Sequence, residues 1–149
     1  MVNKEIAKLL RKKGGVVCTQ KSAILENETS EIRTLNLRNL GLGEKDIIDI
    51  TNIIEYENDA IYLSSISFSY NQLGDVGAIL IAKKMPHSIS EIGLVDCGIG
   101  DKGGYAILNW IRKSNSLQMI CIEQNNFSDK LKMEFNLFKR ENPKVMVVY

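Results

Sequence analysis

The chain has 149 residues, enough for one domain with a substantial core. Its apolar fraction of 44% and charged fraction of 25% are those of an ordinary globular protein. A net charge of +1 provides no global field for nucleic acid or an anionic membrane, and no run approaches the roughly 18 apolar residues of a membrane span.

The opening stretch "MVNKEIAKLLRKKGG" lacks an apolar core followed by a small-residue cleavage site, which argues against a secretory leader. Asn3 to Lys13 instead predict an amphipathic helix with Ile6, Leu9 and Leu10 on one side. Its cations, Lys4, Lys8, Arg11, Lys12 and Lys13, are the kind that meet an anionic surface. The apolar side is short and carries no Trp or Phe, so a solvated face on an end cap explains them better. The next stretch, "GGVVCTQKSAILENETSE", admits a degenerate strand and turn, with Val16 and Val17 pairing beside Leu35.

From Ile32 onward the pattern L-x-x-L-x-L-x-x-N-x-L can be laid over the chain four times. The copies start at Ile32 (then Leu35, Leu37, Leu40, Leu42), Leu63 (Ile66, Phe68, Asn71, Leu73), Ile89 (Ile92, Leu94, Cys97, Ile99) and Leu117 (Ile120, Ile122, Asn125, Phe127). Each copy is followed by a turn residue beside an acid: Gly43-Glu44, Gly74-Asp75, Gly100-Asp101 and Ser128-Asp129. An acid there suits the free N–H groups and positive end of a starting helix. Helical periodicity then takes over, through Ile47, Ile50 and Ile54; Ala78, Ile81 and Ala82; Ala106, Ile107, Trp110 and Ile111; and Leu131, Phe135 and Phe138. Gly77, Gly103 and Gly104 suit close helix–strand approach. The final "NPKVMVVY" predicts a strand closing the sheet, with either Val145 and Val148 or Met146 and Val148 pointing inward.

A strand-turn-helix unit repeated four times predicts an α/β fold, a parallel solenoid. The second copy, "LSSISFSYNQLGDVGAILIAKKM", resembles the ribonuclease-inhibitor-like type of leucine-rich repeat protein, and the resemblance covers Ile32 to about Phe138. It implies a short right-handed solenoid with parallel strands on the concave face and helices on the convex face. One domain is expected: residues 1–31 as an N-terminal cap or degenerate repeat, 32–142 as four repeats, and 143–149 as the closing strand. Two departures stand out. Leu40 occupies the asparagine position of the first copy, and the first helix-loop segment ("IIEYENDAIY") is long, whereas Cys97 is an accepted alternative in the family. The first copy should therefore bond its turn differently.

Because side chains alternate along a strand, the residues between the apolar positions should face outward. Candidate partner-binding residues are Arg33, Asn36 and Arg38 from the first copy, and Ser65, Ser67, Ser69 and Tyr70 from the second. The third supplies Glu91, Val95 and Asp96, and the fourth Met119, Cys121 and Glu123. This face runs from basic through hydroxyl to acidic. It predicts a non-catalytic module that binds another protein, since charge polarity of this kind sets register and on-rate. The alternatives are a self-associating unit pairing through a terminal strand edge, giving a homo-oligomer, or a regulatory or effector repeat protein.

Catalysis finds no support. A nucleophilic serine needs a base, the one histidine is His87 in a connecting loop, and no G-x-S-x-G elbow occurs. One His and three scattered cysteines give no metal-ligand spacing, and no cofactor is expected. "GIGDKGG" lacks the Lys-Ser/Thr of a phosphate loop. Cys18, Cys97 and Cys121 are odd in number and widely spaced, which favours reduced thiols and a cytoplasmic setting. The sequons at Asn27 (with Thr29) and Asn126 (with Ser128) then carry no weight. Cys121 is expected to be the exposed, reactive thiol, and Trp110 a packing residue.

Overall fold

In a computed structural model, which describes residues 1–28 and 32–149, five three-residue strands form one parallel sheet in sequential order. They are β1 (Thr34–Asn36), β2 (Ser65–Ser67), β3 (Glu91–Gly93), β4 (Met119–Cys121) and β5 (Met146–Val148). The central residues stand in one row, Leu35, Ile66, Ile92, Ile120 and Val147, and all five are buried. All four copies of the apolar template bury their apolar side chains, each worth roughly 1.5–3 kcal/mol when fully removed from water. Helices α3 (Glu44–Tyr56), α4 (Gly74–Lys84), α5 (Asp101–Lys113) and α6 (Asp129–Glu141) follow β1 to β4 in turn.

Of the two N-terminal alternatives, a cap or a degenerate repeat, the one with a strand does not form. Helix α1 (Val2–Lys13) forms as predicted, but the next segment is a second helix, α2 (Val16–Asn27), and not a strand. Gly14 and Gly15, at φ 79° and 84°, reverse the chain in a region that favours glycine. Cys18, Ser22 and Leu25 then fall at helical spacing and are buried, while Val16 and Val17 are exposed. Helical periodicity has outweighed the β-branched pair, because the stripe Val2, Ile6 and Leu10 on α1 needed a cover. Asn3, fully buried, clips the hairpin shut: its Nδ2 donates to the carbonyls of Leu25 and Glu28, both at 3.1 Å. Residues 29–31, with Thr29 of the first sequon, lie outside the described residues.

The long segment after α3 has a use that its sequence did not announce. It forms a 3-10 helix (Asn58–Tyr62) whose Asp59 carboxylate accepts from the Val2 N–H at 3.0 and 3.2 Å. The first repeat thus caps the first turn of α1.

At the other end, neither expected register of the last strand holds. Val147 is the inward residue, Met146 is 59% exposed, and Val148 is half-buried facing outward. The parity is set by the turn after α6, where the Val145 N–H donates to the Asn142 carbonyl at 3.0 Å. In a uniformly apolar "VMVV" the alternation itself carries no preference.

The acids beside the turns also act differently from the simple expectation. Asp46, not Glu44, bonds the Gly43 N–H at the start of α3. Asp75 reaches into the next repeat and accepts from the N–H groups of Gly100 and Gly103, both at 2.8 Å, capping α5. Asp101 likewise accepts from the Ser128 N–H at 2.8 Å, and bonds from Ser128 hold its carboxyl below the ordinary range. A Cβ on Gly103 would stand 2.8 Å from that of Ala78, so α4 and α5 are in tight contact at this end.

Candidate partner-binding face

Strand alternation and register arrange the outward side chains in transverse rows. One row is Thr34, Ser65, Glu91, Met119 and Met146; the next is Asn36, Ser67, Gly93, Cys121 and Val148. A third continues through Arg38, Ser69, Val95 and Glu123, held by backbone bonds such as Tyr70 N–H to Val95 O at 2.7 Å and Asp96 N–H to Glu123 O at 3.0 Å. Of the thirteen candidate residues, eight line one shallow depression of about 210 Å³: Arg38, Ser65, Ser67, Ser69, Glu91, Val95, Met119 and Cys121. Arg33, Asn36, Tyr70, Asp96 and Glu123 stand outside it. The floor is low at Gly93, where a Cβ would meet the Ser67 Oγ at 2.8 Å and the Ser69 Oγ at 3.0 Å.

The serines divide into two groups. Ser65 and Ser67 remain half-buried on the open face. Ser69 does not: only 3% is exposed, and its Oγ accepts from the Val95 N–H at 3.0 Å, so it belongs to the framework. Ser64 and Ser90 are also spent on backbone, donating to Arg33 O at 3.2 Å and Ser64 O at 3.0 Å in the preceding repeats.

Every repeat leaves its strand through a left-handed residue: Asn39, Tyr70, Asp96 and Gln124, with φ between 49° and 62°. Asn and Asp accept this conformation readily, whereas for Tyr70 it is strained. The strain is held by the Tyr70–Val95 bond and by Arg38, whose guanidinium lies 4.9 Å from the ring centroid. The basic end of the face is therefore a stacked Arg–Tyr pair.

At the acidic end, Glu91, Asp96 and Glu123 take part in no ion pair among the described residues. One carboxylate oxygen of Glu123, Oε2, is buried with no hydrogen-bond partner. Cys121 is half-buried rather than openly exposed; burial pushes its thiol up, and the charges of Glu123 and Glu91 push the same way. That disfavours the thiolate and corrects the expectation of a reactive group.

The opposite side of the strands is closed by two asparagines. Asn71 Oδ1 accepts from the N–H groups of Leu40 and Leu42 at 3.1 and 2.9 Å, and its Nδ2 donates to Leu37 O and Phe68 O at 2.8 Å each. Asn125 repeats the pattern for Cys97, Ile99, Leu94 and Ile122. Each asparagine thus serves the repeat before its own, which is how the Leu40 turn is satisfied without an asparagine. Cys97 Sγ donates to Phe68 O at 3.5 Å, and Cys18 Sγ to Leu40 O at 3.3 Å.

A family model described as leucine rich repeat matches residues 60–82 and 87–108. Those two segments are leucine-rich repeats. The matched segments are the chain's second and third repeats, and the structure shows the first and fourth built on the same strand-turn-helix unit. No curated protein matches the chain. Leucine-rich repeat domains are, as a class, protein-interaction modules, typically without catalysis. No helix among the described residues is long and apolar enough to cross a membrane.

One further cavity was not foreseen. It measures about 630 Å³ and lies between α4 and α5 near their C-terminal ends, lined by Trp110, Lys83, Lys113 and His87 among others. Trp110, expected only to pack, is partly buried against the core and also forms a wall of this cavity. Its signal in the sequence was the lone Trp one turn before the helix-ending Lys113, a weak one without the neighbouring helix in place.

Proposed function

We propose that this protein is a non-catalytic, cytoplasmic interaction module of the ribonuclease-inhibitor-like type that holds a partner protein on its open sheet face. The observation that carries the reading is the unspent polarity of that face. The Arg38–Tyr70 stack stands at the β1–β2 end, Glu91 and Glu123 on β3 and β4 form no ion pair among the described residues, and a shallow small-residue floor lies at Gly93, two residues from Glu91. A partner with the opposite charge order would dock in one register, closely enough to reach the backbone. The position of His87, the one histidine, in the cavity between α4 and α5 and not in the depression that holds Ser65 and Ser67, favours binding over hydrolysis.

Capture of partners from lysate by the parent chain, by Arg38→Glu and by Glu123→Lys tests this reading. At least one partner should weaken tenfold or more in each variant, about 1.4 kcal/mol or greater. Retention of every partner by both variants would refute it.

A second reading rests on β5, which among the described residues has a strand neighbour on one side only and which, with the residue after it, carries exposed Met146 and Tyr149. A parallel edge of this kind invites pairing between copies. Sedimentation at micromolar concentration should then show a dimer that is lost when residues 144–149 are deleted. A monomer in the parent chain removes this reading.

A further inference from the structure

Four of the helix–helix contacts are strapped by an ion pair. Arg11 to Glu26 ties α1 to α2, and Lys13 to Asp46 at 3.0 Å ties α1 to α3. Lys84 to Glu55 at 3.0 Å ties α4 to α3, and Arg112 to Glu134 at 3.0 Å ties α5 to α6. Between α4 and α5 there is no such pair among the described residues. These two helices are fastened at their N-terminal ends, through Asp75 and the close approach at Gly103. Toward their C-terminal ends they leave the cavity of about 630 Å³.

The groove is apolar at its base, through Ile79, Ala82, Ala106 and the indole of Trp110. Its rim carries Lys83 and Lys113, one from each helix, and no carboxylate among the described residues lines it. Neither lysine forms an ion pair among the described residues, unlike Lys84 and Arg112 immediately beside them in sequence. The free carbonyls of the two helix ends take up part of this positive charge. They also leave acceptors for a backbone N–H.

We propose that the α4–α5 groove is a second docking site, for a short acidic peptide segment of a partner protein that seats one apolar side chain against Trp110. The carboxylates flanking that side chain meet Lys83 and Lys113 and supply the counter-charge that Glu55 and Glu134 supply in the adjacent contacts. The groove is built on the helix side and the Gly93 floor on the sheet side, so this site works independently of the sheet-face reading.

Trp110 is the only tryptophan in the chain, so emission excited at the red edge of absorption, where the five tyrosines do not absorb, reports this groove. The experiment selects binders to the whole chain from a random heptapeptide library. Selected peptides are then titrated against Trp110 emission. Enrichment of Asp and Glu around a single Leu, Ile or Phe, with a saturable blue shift and a Kd below ~1 mM, is the expected result. Lys83→Glu with Lys113→Glu should weaken binding tenfold or more, and Ala106→Leu, which fills the base, should abolish the shift while the far-ultraviolet circular dichroism stays unchanged. Arg38→Glu should leave it intact. Enrichment of basic or purely apolar peptides, no enrichment at all, or undiminished binding by the filled and charge-reversed variants would each overturn the proposal. An Ala106→Leu variant that fails to fold leaves the charge reversal at the exposed lysines to decide.

Discussion

The two sides of the strands use polar groups in opposite ways. Behind the sheet, Asn71 spends both amide atoms on four backbone groups and is 2% exposed. Cys97 beside it is fully buried and also bonded. On the open face Glu91, Glu123, Ser65 and Tyr70 are half-buried or exposed, and Glu123 keeps a buried carboxylate oxygen without a partner. The turn line holds the repeats together because nothing polar there can be left unpaired in a dry interior. The open face contributes little to that cohesion and keeps its hydrogen-bonding capacity for something else.

The comparison breaks most visibly at Asn71. Asn71→Ala strands the N–H groups of Leu40 and Leu42 and the carbonyl of Leu37 in the interior, and should cost about 3–5 kcal/mol. Asn125→Ala removes an equivalent set from a part-buried site that water can reach, and should cost about 1–2 kcal/mol. Urea melts of the two variants decide the matter, and equal losses would mean that burial is not what separates them.

An effect between those of the two asparagines appears at alkaline pH. Burial pushes the Cys97 thiol up to about 11, from an ordinary value of 9.0. The unfolded chain releases this proton first, so the contribution is fully present below pH 9 and lost as pH rises through 11. The slope approaches about 1.4 kcal/mol per pH unit and the total is about 2–3 kcal/mol. Chemical melts from pH 8 to 11 should show a shallower slope in Cys97→Ala than in the parent chain, with Cys121 still contributing its own share. Parallel curves would remove the linkage.

The smallest effect belongs to the open face. Glu123→Gln should leave stability within about 0.5 kcal/mol. It should nevertheless quicken alkylation of Cys121 by roughly two- to fivefold at pH 8, because one of the charges holding that thiol protonated is gone. An unchanged rate would show that Glu123 does not act on the thiol in solution.

The sheet was legible because each copy of the template places Leu35, Ile66, Ile92 and Ile120 at the same point of the alternation, and burial of one face leaves a single register. Legibility ended where that pattern did. Val16 and Val17 suggested a strand, yet the neighbouring stripe on α1 recruited the segment as a helix. "VMVVY" is apolar at nearly every position, so only the turn at Asn142 could choose Val147. Ser69 reads as another outward serine, and only the Val95 N–H in the next repeat makes it part of the frame. The α4–α5 groove was hidden for the same reason, since Lys83 and Lys113 stand 30 residues apart in the chain.

By itself, then, the order of residues determined the repeating unit, its inward and outward faces and the basic-to-acidic run across them, because two-residue alternation is a property of the chain's own geometry. Stacking decided which atom bonds which: Asp75 to α5, Asn71 to the Leu40 turn, Asp59 to α1, and which helix pair stayed unstrapped. Those bonds join residues 25 to 57 positions apart, and a side chain's reach across such a gap exists only once neighbouring repeats have packed.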